Sequence, residues 1–72
     1  MTEAHEIQVN GEPATIAPGA TLADVVERLP VPAGGRGVAV AVDAEVVPRA
    51  EWAQRTLTGG ERVEVLTAMQ GG

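Results

Sequence analysis

Only one stretch of this chain has the spacing of an amphipathic helix, and this limits the possible folds more than any other feature. Its apolar residues fall at i, i+3, i+4 and i+7 and therefore share one helical face: Leu22, Val25, Val26 and Leu29. Thr21 is the predicted N-cap, with Asp24 three residues later as in a capping box. Pro30 and Pro32 should end the helix. One short helix of this kind must bury its apolar face against a sheet.

The segments around this helix alternate apolar and polar residues or are rich in valine, as strands are. Asn10-Gly11 predicts a type I′ hairpin turn, because both residues tolerate a positive φ. Pro13 has no amide hydrogen, which favours a strand at the sheet edge. In the segment 38–42, Val faces one side and Ala the other, so that another group could pack closely over the Ala side. The predicted strands are 5–9, 12–17, 38–42, 45–47 and 62–66, with a helical turn at 49–54 and a brief edge strand at 55–57.

These elements predict one α+β domain over residues 1–68, with a mixed sheet and one packed helix, followed by a flexible C-terminal tail at 69–72. A chain of 72 residues builds only a modest core and has little room for a deep pocket. It contains no Cys, Ser or Lys, the common nucleophiles of covalent catalysis. The single histidine, His5, cannot form a metal site alone. We therefore expect no enzyme activity of its own, no metal and no bound cofactor.

Ten acidic residues against five basic ones give a net charge of −5. This balance argues against nucleic acid and against an anionic membrane surface as partners. A partner with a basic docking surface would be compatible with the charge. No apolar run reaches the roughly 18 residues of a transmembrane helix, and the acidic segment 1–6 is unlike a signal peptide. The expected location is the cytoplasm.

Several residues allow a functional and a structural interpretation. Trp52 could be a docking hot spot, but a lone tryptophan in a small domain more often completes the core. Arg49 could contact a partner, although a surface role is the simpler interpretation, and Asp24 and Glu27 are best explained as the solvated face of the helix. The glycine-rich segment 34–37 is not a phosphate cradle, because no strand leads directly into it and no helix follows it.

The chain ends in Gly71-Gly72 shortly after the last predicted strand. Glycine has no Cβ, so such an end can enter a narrow channel in a partner enzyme. The α-carboxyl group, with a reference pKa of about 3.3–3.7, is ionised at neutral pH. A carboxylate is a poor electrophile, so acyl chemistry would require activation, for which adenylation by ATP is the usual means. A protein without a thiol could carry sulfur as a C-terminal thiocarboxylate.

The sequence resembles the ThiS family, the sulfur carriers of thiazole formation in thiamin biosynthesis. The resemblance covers essentially the whole chain and rests on four stretches: Asn10-Gly11-Glu12, Thr21-Leu22, Val46-Val47-Pro48-Arg49-Ala50-Glu51-Trp52-Ala53 and Gly71-Gly72. The third stretch is specific, whereas the Gly-Gly end is shared by all ubiquitin-like carriers. The family resemblance implies a ubiquitin-like β-grasp fold in which the first and last strands are adjacent and parallel. The segment 30–37 is richer in Pro and Gly than the family pattern.

The resemblance also implies a reaction cycle and its partners. A ThiF-like enzyme would adenylate Gly72 with ATP, so that ATP is used by the partner and not bound by this chain. A sulfurtransferase or cysteine desulfurase system would convert the adenylate to a thiocarboxylate, which would give its sulfur to thiazole synthase. Gly71 matches the family's tail, and Gln70 and Met69 are expected only to thread into the partner's active site.

Two alternatives remain open at the level of sequence. The small subunit of molybdopterin synthase would share the β-grasp fold and the Gly-Gly end, so only the Val-Pro-Arg-x-x-Trp segment and the compact length separate it from a ThiS protein. A β-grasp binding module without a carrier role would tolerate a change at Gly72, whereas a sulfur carrier would not.

Overall fold

In the part of the chain that the structure describes, five strands form one mixed sheet and one α-helix packs across it. The computed structural model describes residues 4–32 and 36–67. The elements are β1 (His5–Val9), β2 (Glu12–Ile16), α1 (Leu22–Glu27), β3 (Val38–Val42), β4 (Glu45–Val47), a 3₁₀ helix (Arg49–Gln54) and β5 (Arg62–Thr67). The predicted α+β class and the helical turn at 49–54 are confirmed.

The last strand lies at the centre of the sheet, whose order is β2-β1-β5-β3-β4. β5 runs parallel to β1, with Gln8 opposite Arg62, and antiparallel to β3, with Val38 opposite Thr67. The expectation that the first and last strands are adjacent and parallel is confirmed. Pro13 lies in β2, which is an edge strand as predicted.

Both hairpins turn through two residues with positive φ, which is the signature of a type I′ turn. In the first hairpin these are Asn10, at φ 52°, and Gly11, at φ 86°. In the second hairpin they are Asp43, at φ 51°, and Ala44, at φ 71°. Alanine pays a steric cost in this left-handed region that glycine avoids, so the second turn is the more strained of the two.

The helix begins as predicted but ends earlier. Thr21 and Asp24 form a full reciprocal capping box: the Thr21 amide donates to the Asp24 carboxylate at 2.9 Å, and the Asp24 amide donates to the Thr21 hydroxyl at 3.3 Å. α1 ends at Glu27, not at Leu29. A residue preceding proline is disfavoured in the helical region, and the Leu29 amide instead bonds to the Val26 carbonyl at 3.1 Å in a tightened last turn.

The segment 55–57 is not the edge strand that the sequence predicts. Thr56 makes only an isolated bridge with Thr21, and the Leu57 amide donates to the Ala20 carbonyl at 3.0 Å. The segment therefore pairs with the chain entering the helix and not with the edge of the sheet. Leu57 is fully buried at 0% exposure, so this crossing closes the core beneath the helix N-terminus.

Valine and isoleucine build most of the core between the sheet and α1. Trp52 projects into it from the 3₁₀ helix, is 5% exposed, and donates its indole N–H to the Val47 carbonyl at 2.9 Å. The buried apolar residues are Ile7, Ile16, Leu22, Val25, Val26, Val40, Val42, Val47, Trp52, Leu57, Val63 and Val65. The interpretation of Trp52 as a core residue is therefore confirmed.

Candidate functional site at the end of the central strand

The candidate site begins where β5 ends. All four predicted site residues follow Thr67 in the chain and lie outside the described residues: Met69, Gln70, Gly71 and Gly72. Gly72 lies five residues beyond Thr67, so it can lie at most roughly 18 Å from Thr67, at about 3.3–3.6 Å per residue. Any molecule that binds Gly72 would therefore lie close to the part of the sheet around Thr67.

The two strands that neighbour β5, which are β1 and β3, pair with different lengths of it. The pairing with β3 runs the whole way from Val42 opposite Val63 to Val38 opposite Thr67. The pairing with β1 is short, and its last residue pair is Val9 opposite Val63. Beyond this pair, the chain of β1 enters the hairpin turn at Asn10.

Turn residues of both hairpins continue the contacts with β5. The Asp43 carboxylate accepts from the Arg62 amide at 2.9 Å, and the Asp43 amide donates to the Arg62 carbonyl at 2.7 Å. On the other side, the Asn10 main-chain amide donates to the Val63 carbonyl at 2.8 Å. The Asn10 carboxamide accepts from the Val65 amide and donates to the Val65 carbonyl. The turn propensity of Asn10 does not predict these contacts with β5. The only available signal was that asparagine carries a donor and an acceptor that the turn itself does not require.

An exposed apolar patch lies on the face of the sheet opposite α1. Leu66 is 68% exposed and stands opposite Ala39, and Val46 is 72% exposed and stands opposite Ala41. We call these four residues the apolar patch. The small alanines keep it flat, and no helix or strand formed by residues 4–32 and 36–67 covers it, so the predicted close packing over the Ala side is not supplied by that part of the chain. The two large side chains lie two strands apart, on β5 and β4, and Glu64 stands opposite Ala41 on the same face. Exposed apolar side chains on one sheet face occur at interaction surfaces.

An ion pair between Arg55 and Glu61 spans the segment that connects the 3₁₀ helix to β5. The Arg55 guanidinium donates to the Glu61 carboxylate at 2.8 Å, and the Thr58 amide donates to the other carboxylate oxygen at 2.8 Å. Burial raises the pKa of Glu61 and is the largest single influence, but the hydrogen bonds from Arg55 and Thr58 and the charge of Arg55 together hold this pKa below its usual value. The hydrogen bond to Glu61 raises the pKa of Arg55.

The remaining candidate residues do not gather into a site. Asp24 caps the helix, and Glu27 is exposed at its end. Arg49 is exposed in the 3₁₀ helix, and His5 is half-buried at the start of β1. Of the glycine-rich segment 34–37, only the last two residues belong to the described chain, and they form a turn.

A shallow groove of about 430 Å³ lies between the first hairpin and the end of α1, on the side of the sheet away from the apolar patch. Its floor is mostly apolar, and Glu12 and Arg28 lie at its rim. Over residues 4–32 and 36–67, no three His, Asp or Glu side chains approach one another closely enough to hold a metal ion. The same part of the chain contains no helix long and apolar enough to cross a membrane.

The sheet order, the central last strand parallel to the first and the single helix across the sheet define a ubiquitin-like β-grasp protein. The model of the ThiS family matches residues 7–72, so the chain belongs to the ThiS family. Members of this family are small sulfur carrier proteins of thiamin biosynthesis and act with partner enzymes.

A solved structure agrees with this assignment. This chain is similar to the thiamine biosynthesis protein ThiS from Geobacter metallireducens. The similarity covers 93% of this chain and 99% of the Geobacter chain. The two share 32% sequence identity, and the TM-score is 0.75. No curated protein matches the chain.

Proposed function

We propose that this chain carries sulfur on the carboxyl group of Gly72, as a thiocarboxylate used for thiazole formation. The observation that carries the proposal is the family match, which extends to the Gly71-Gly72 end of the chain. The fold adds support, because the rigid centre of the sheet leads directly into these residues. The same family match favours the thiamin pathway over the molybdopterin synthase alternative.

The chemistry proceeds in two steps at one carboxyl group, the first a substitution at phosphorus and the second a substitution at the carboxyl carbon. A carboxylate oxygen of Gly72 first attacks the α-phosphorus of ATP, pyrophosphate leaves, and an acyl adenylate forms. A sulfur nucleophile at the oxidation level of sulfide then attacks the carbonyl carbon, and AMP departs with one of the original carboxylate oxygens. A persulfide donor would additionally require two electrons from a thiol reductant. The product, a thiocarboxylate, can transfer its sulfur to thiazole synthase.

Partner enzymes must supply both steps. The chain has no Cys, Ser or Lys to form a covalent intermediate. A ThiF-like enzyme would bind ATP and perform the adenylation, and a sulfurtransferase or cysteine desulfurase system would deliver the sulfur. Gly71, together with Gln70 and Met69, would pass through the partner's channel, where the lack of a Cβ at Gly71 lets the walls approach closely.

The length of the tail determines where the activating enzyme binds. Because Gly72 lies at most roughly 18 Å from Thr67, an enzyme that holds Gly72 in its active site must also contact the sheet near the end of β5. The apolar patch is there, and Leu66 directly precedes Thr67. We assign this patch to the ThiF-like enzyme.

Intact-protein mass spectrometry tests the proposal. The purified chain would be incubated with ATP, a ThiF-like enzyme and a sulfur source. We expect a mass gain equal to the exchange of one oxygen for sulfur, located in the C-terminal fragment. The matched controls are a chain that lacks Gly72 and a chain extended by one alanine, in which the Gly72 carboxyl group is part of a peptide bond.

Each outcome has a definite meaning. Sulfur exchange in the full chain but in neither control supports the carrier role and its site. An adenylate without sulfur exchange supports activation at Gly72 and overturns the thiocarboxylate step. An unchanged C-terminus in the presence of a competent enzyme overturns the proposal in favour of a β-grasp binding module.

A further inference from the structure

The Asn10 side chain contacts the last strand far along the sequence. Its Oδ1 accepts from the Val65 amide at 2.8 Å, and its Nδ2 donates to the Val65 carbonyl at 3.3 Å. The main-chain amide of Asn10 donates to the Val63 carbonyl at 2.8 Å. Asn10 therefore bonds to both Val63 and Val65, which lie two residues apart in β5.

These bonds continue the pattern of a parallel ladder, in which one strand donates to every second carbonyl of its neighbour. The Gln8 amide donates to the Glu61 carbonyl at 3.0 Å, and the Asn10 amide donates to the next acceptor, Val63. The main chain then turns away at Gly11, which has a φ of 86°. The Asn10 carboxamide occupies the place of the next peptide group, because it offers the same pair of donor and acceptor.

We propose that Asn10 is a positioning residue for the C-terminal tail: its carboxamide extends the β1–β5 pairing by one repeat to Val65 and so fixes the direction in which β5 leaves the sheet. This inference rests on the proposed function, since direction matters only if Gly72 must enter a partner's active site. The inference adds Asn10 to the residues that serve this function, although Asn10 lies 55 positions before Val65 in the sequence.

The mechanical argument concerns the last residues of β5. On the β3 side the strand is paired as far as Thr67. On the β1 side, among the described residues, backbone pairing ends at Val63, so the Asn10 side chain is the support at Val65. Without it, the strand end would be held along one edge only and could twist away from the sheet. A small rotation there is amplified over the roughly 18 Å that the tail can span.

The turn alone does not explain the choice of asparagine. A type I′ turn accepts Asn, Asp or Gly at this position. Glycine would keep the left-handed backbone but remove both side-chain bonds. Aspartate would keep an acceptor for the Val65 amide but would place a carboxylate oxygen against the Val65 carbonyl, where Asn10 donates. Asn10→Gly therefore removes both side-chain bonds, and Asn10→Asp replaces the bond to the Val65 carbonyl with a repulsion, while both variants preserve the turn.

Asp43→Gly is the matched control. Asp43 also lies in a type I′ turn with a φ of 51°, and its side chain also accepts from an amide of β5. Its contact is with Arg62, at the opposite end of the strand from Thr67. The control therefore removes the same kind of bond and changes the chain to the same residue, but leaves the strand end supported.

The experiment measures adenylation of each folded variant by a ThiF-like enzyme, with pyrophosphate release as the readout. We expect Asn10→Gly and Asn10→Asp to lower kcat roughly tenfold, because a misplacement of about 1 Å can cost on the order of 10²-fold. KM should change by less than about twofold, since the docking surface is intact, and Asp43→Gly should leave both constants within about twofold of the native chain. Hydrogen exchange of the Val65 amide, followed by NMR, should accelerate in Asn10→Gly, which removes its acceptor, and not in Asp43→Gly.

The outcomes separate this inference from the function on which it rests. A native chain that is not adenylated overturns the proposed function, and the positioning role with it. If the native chain is adenylated and the Asn10 variants have unchanged kcat, only the positioning role is overturned. An equal loss of kcat in Asp43→Gly also overturns it, because the effect would then reflect general weakening of the sheet.

Discussion

The indole N–H of Trp52 donates to the main-chain carbonyl of Val47 at 2.9 Å, with both residues buried. The bond joins the 3₁₀ helix to the end of β4 and places the tryptophan in the core. We expect Trp52→Phe to lower the free energy of unfolding by about 2 kcal/mol, through the lost bond and a partly filled cavity. Urea unfolding would measure this.

The same variant distinguishes packing from docking. Because Trp52 is inaccessible to a partner, its loss should leave KM for adenylation unchanged in the folded fraction. A KM raised severalfold, without a matching loss of stability, would instead show that a partner contacts the indole.

A single substitution at Ala44 should stabilise the chain. A φ of 71° strains an alanine by about 1–2 kcal/mol. Glycine would relieve this strain, but its greater conformational freedom in the unfolded state offsets part of the gain in stability. We expect Ala44→Gly to raise the free energy of unfolding by roughly 0.5–1 kcal/mol. Gly11 occupies the equivalent place in the other hairpin, and Gly11→Ala should lower stability by about the same amount. Denaturant midpoints of the two variants would move in opposite directions.

Glu61 makes the free energy of unfolding depend on pH in the acidic range. Its pKa is lower in the folded chain than in the unfolded one, so the unfolded chain binds more protons and the free energy of unfolding rises with pH. The contribution is complete above the unfolded pKa of about 4.3 and is lost as the pH falls through the lower, folded pKa. We expect Glu61→Gln to cost roughly 1 kcal/mol at pH 7, allowing for the screening of a pair whose arginine is 37% exposed.

The decisive measurement is unfolding at pH 7 and at pH 3. The difference between the native chain and Glu61→Gln should shrink at the lower pH. Glu64→Gln makes the same change of charge at an exposed position of β5 and should not reproduce this behaviour. A constant difference at both pH values would contradict the assignment to Glu61.

The apolar patch can be tested without touching the tail. Leu66→Asn and Val46→Asn each remove exposed apolar area from the proposed contact with the ThiF-like enzyme, and we expect KM for adenylation to rise roughly tenfold, about 1.4 kcal/mol. Stability should change little, because both side chains are already mostly exposed. Thr15→Asn, on the same face of the sheet but in β2, is the control. An equal effect at Thr15 would remove the patch from the docking site.

Local chemistry made several features predictable from the sequence. The Asn10-Gly11 turn and the Thr21 cap each depend on residues that lie within three positions of one another, and both are present. Pro13 predicted an edge strand because it lacks a donor, whatever the rest of the chain does.

The errors have two sources. One is local: the apolar spacing includes Leu29, but Leu29 precedes Pro30 and the helix ends before it. The other is tertiary contact. The segment 55–57 has the residues of a strand, yet it pairs with the start of the helix. The contact between Asn10 and Val65 joins residues 55 positions apart, which no periodic pattern in one sequence reveals.

The central position of β5 has a consequence for how the protein is made. Both neighbouring strands pair with β5, which is synthesised after all the other elements. The sheet can therefore close only after Thr67, the last residue of β5, has been translated, and contacts of such long range form slowly. A nascent chain, or one truncated before β5, lacks the folded surface that an activating enzyme would recognise. If the proposed function holds, an activating enzyme that docks on the folded sheet would act only on chains that contain β5.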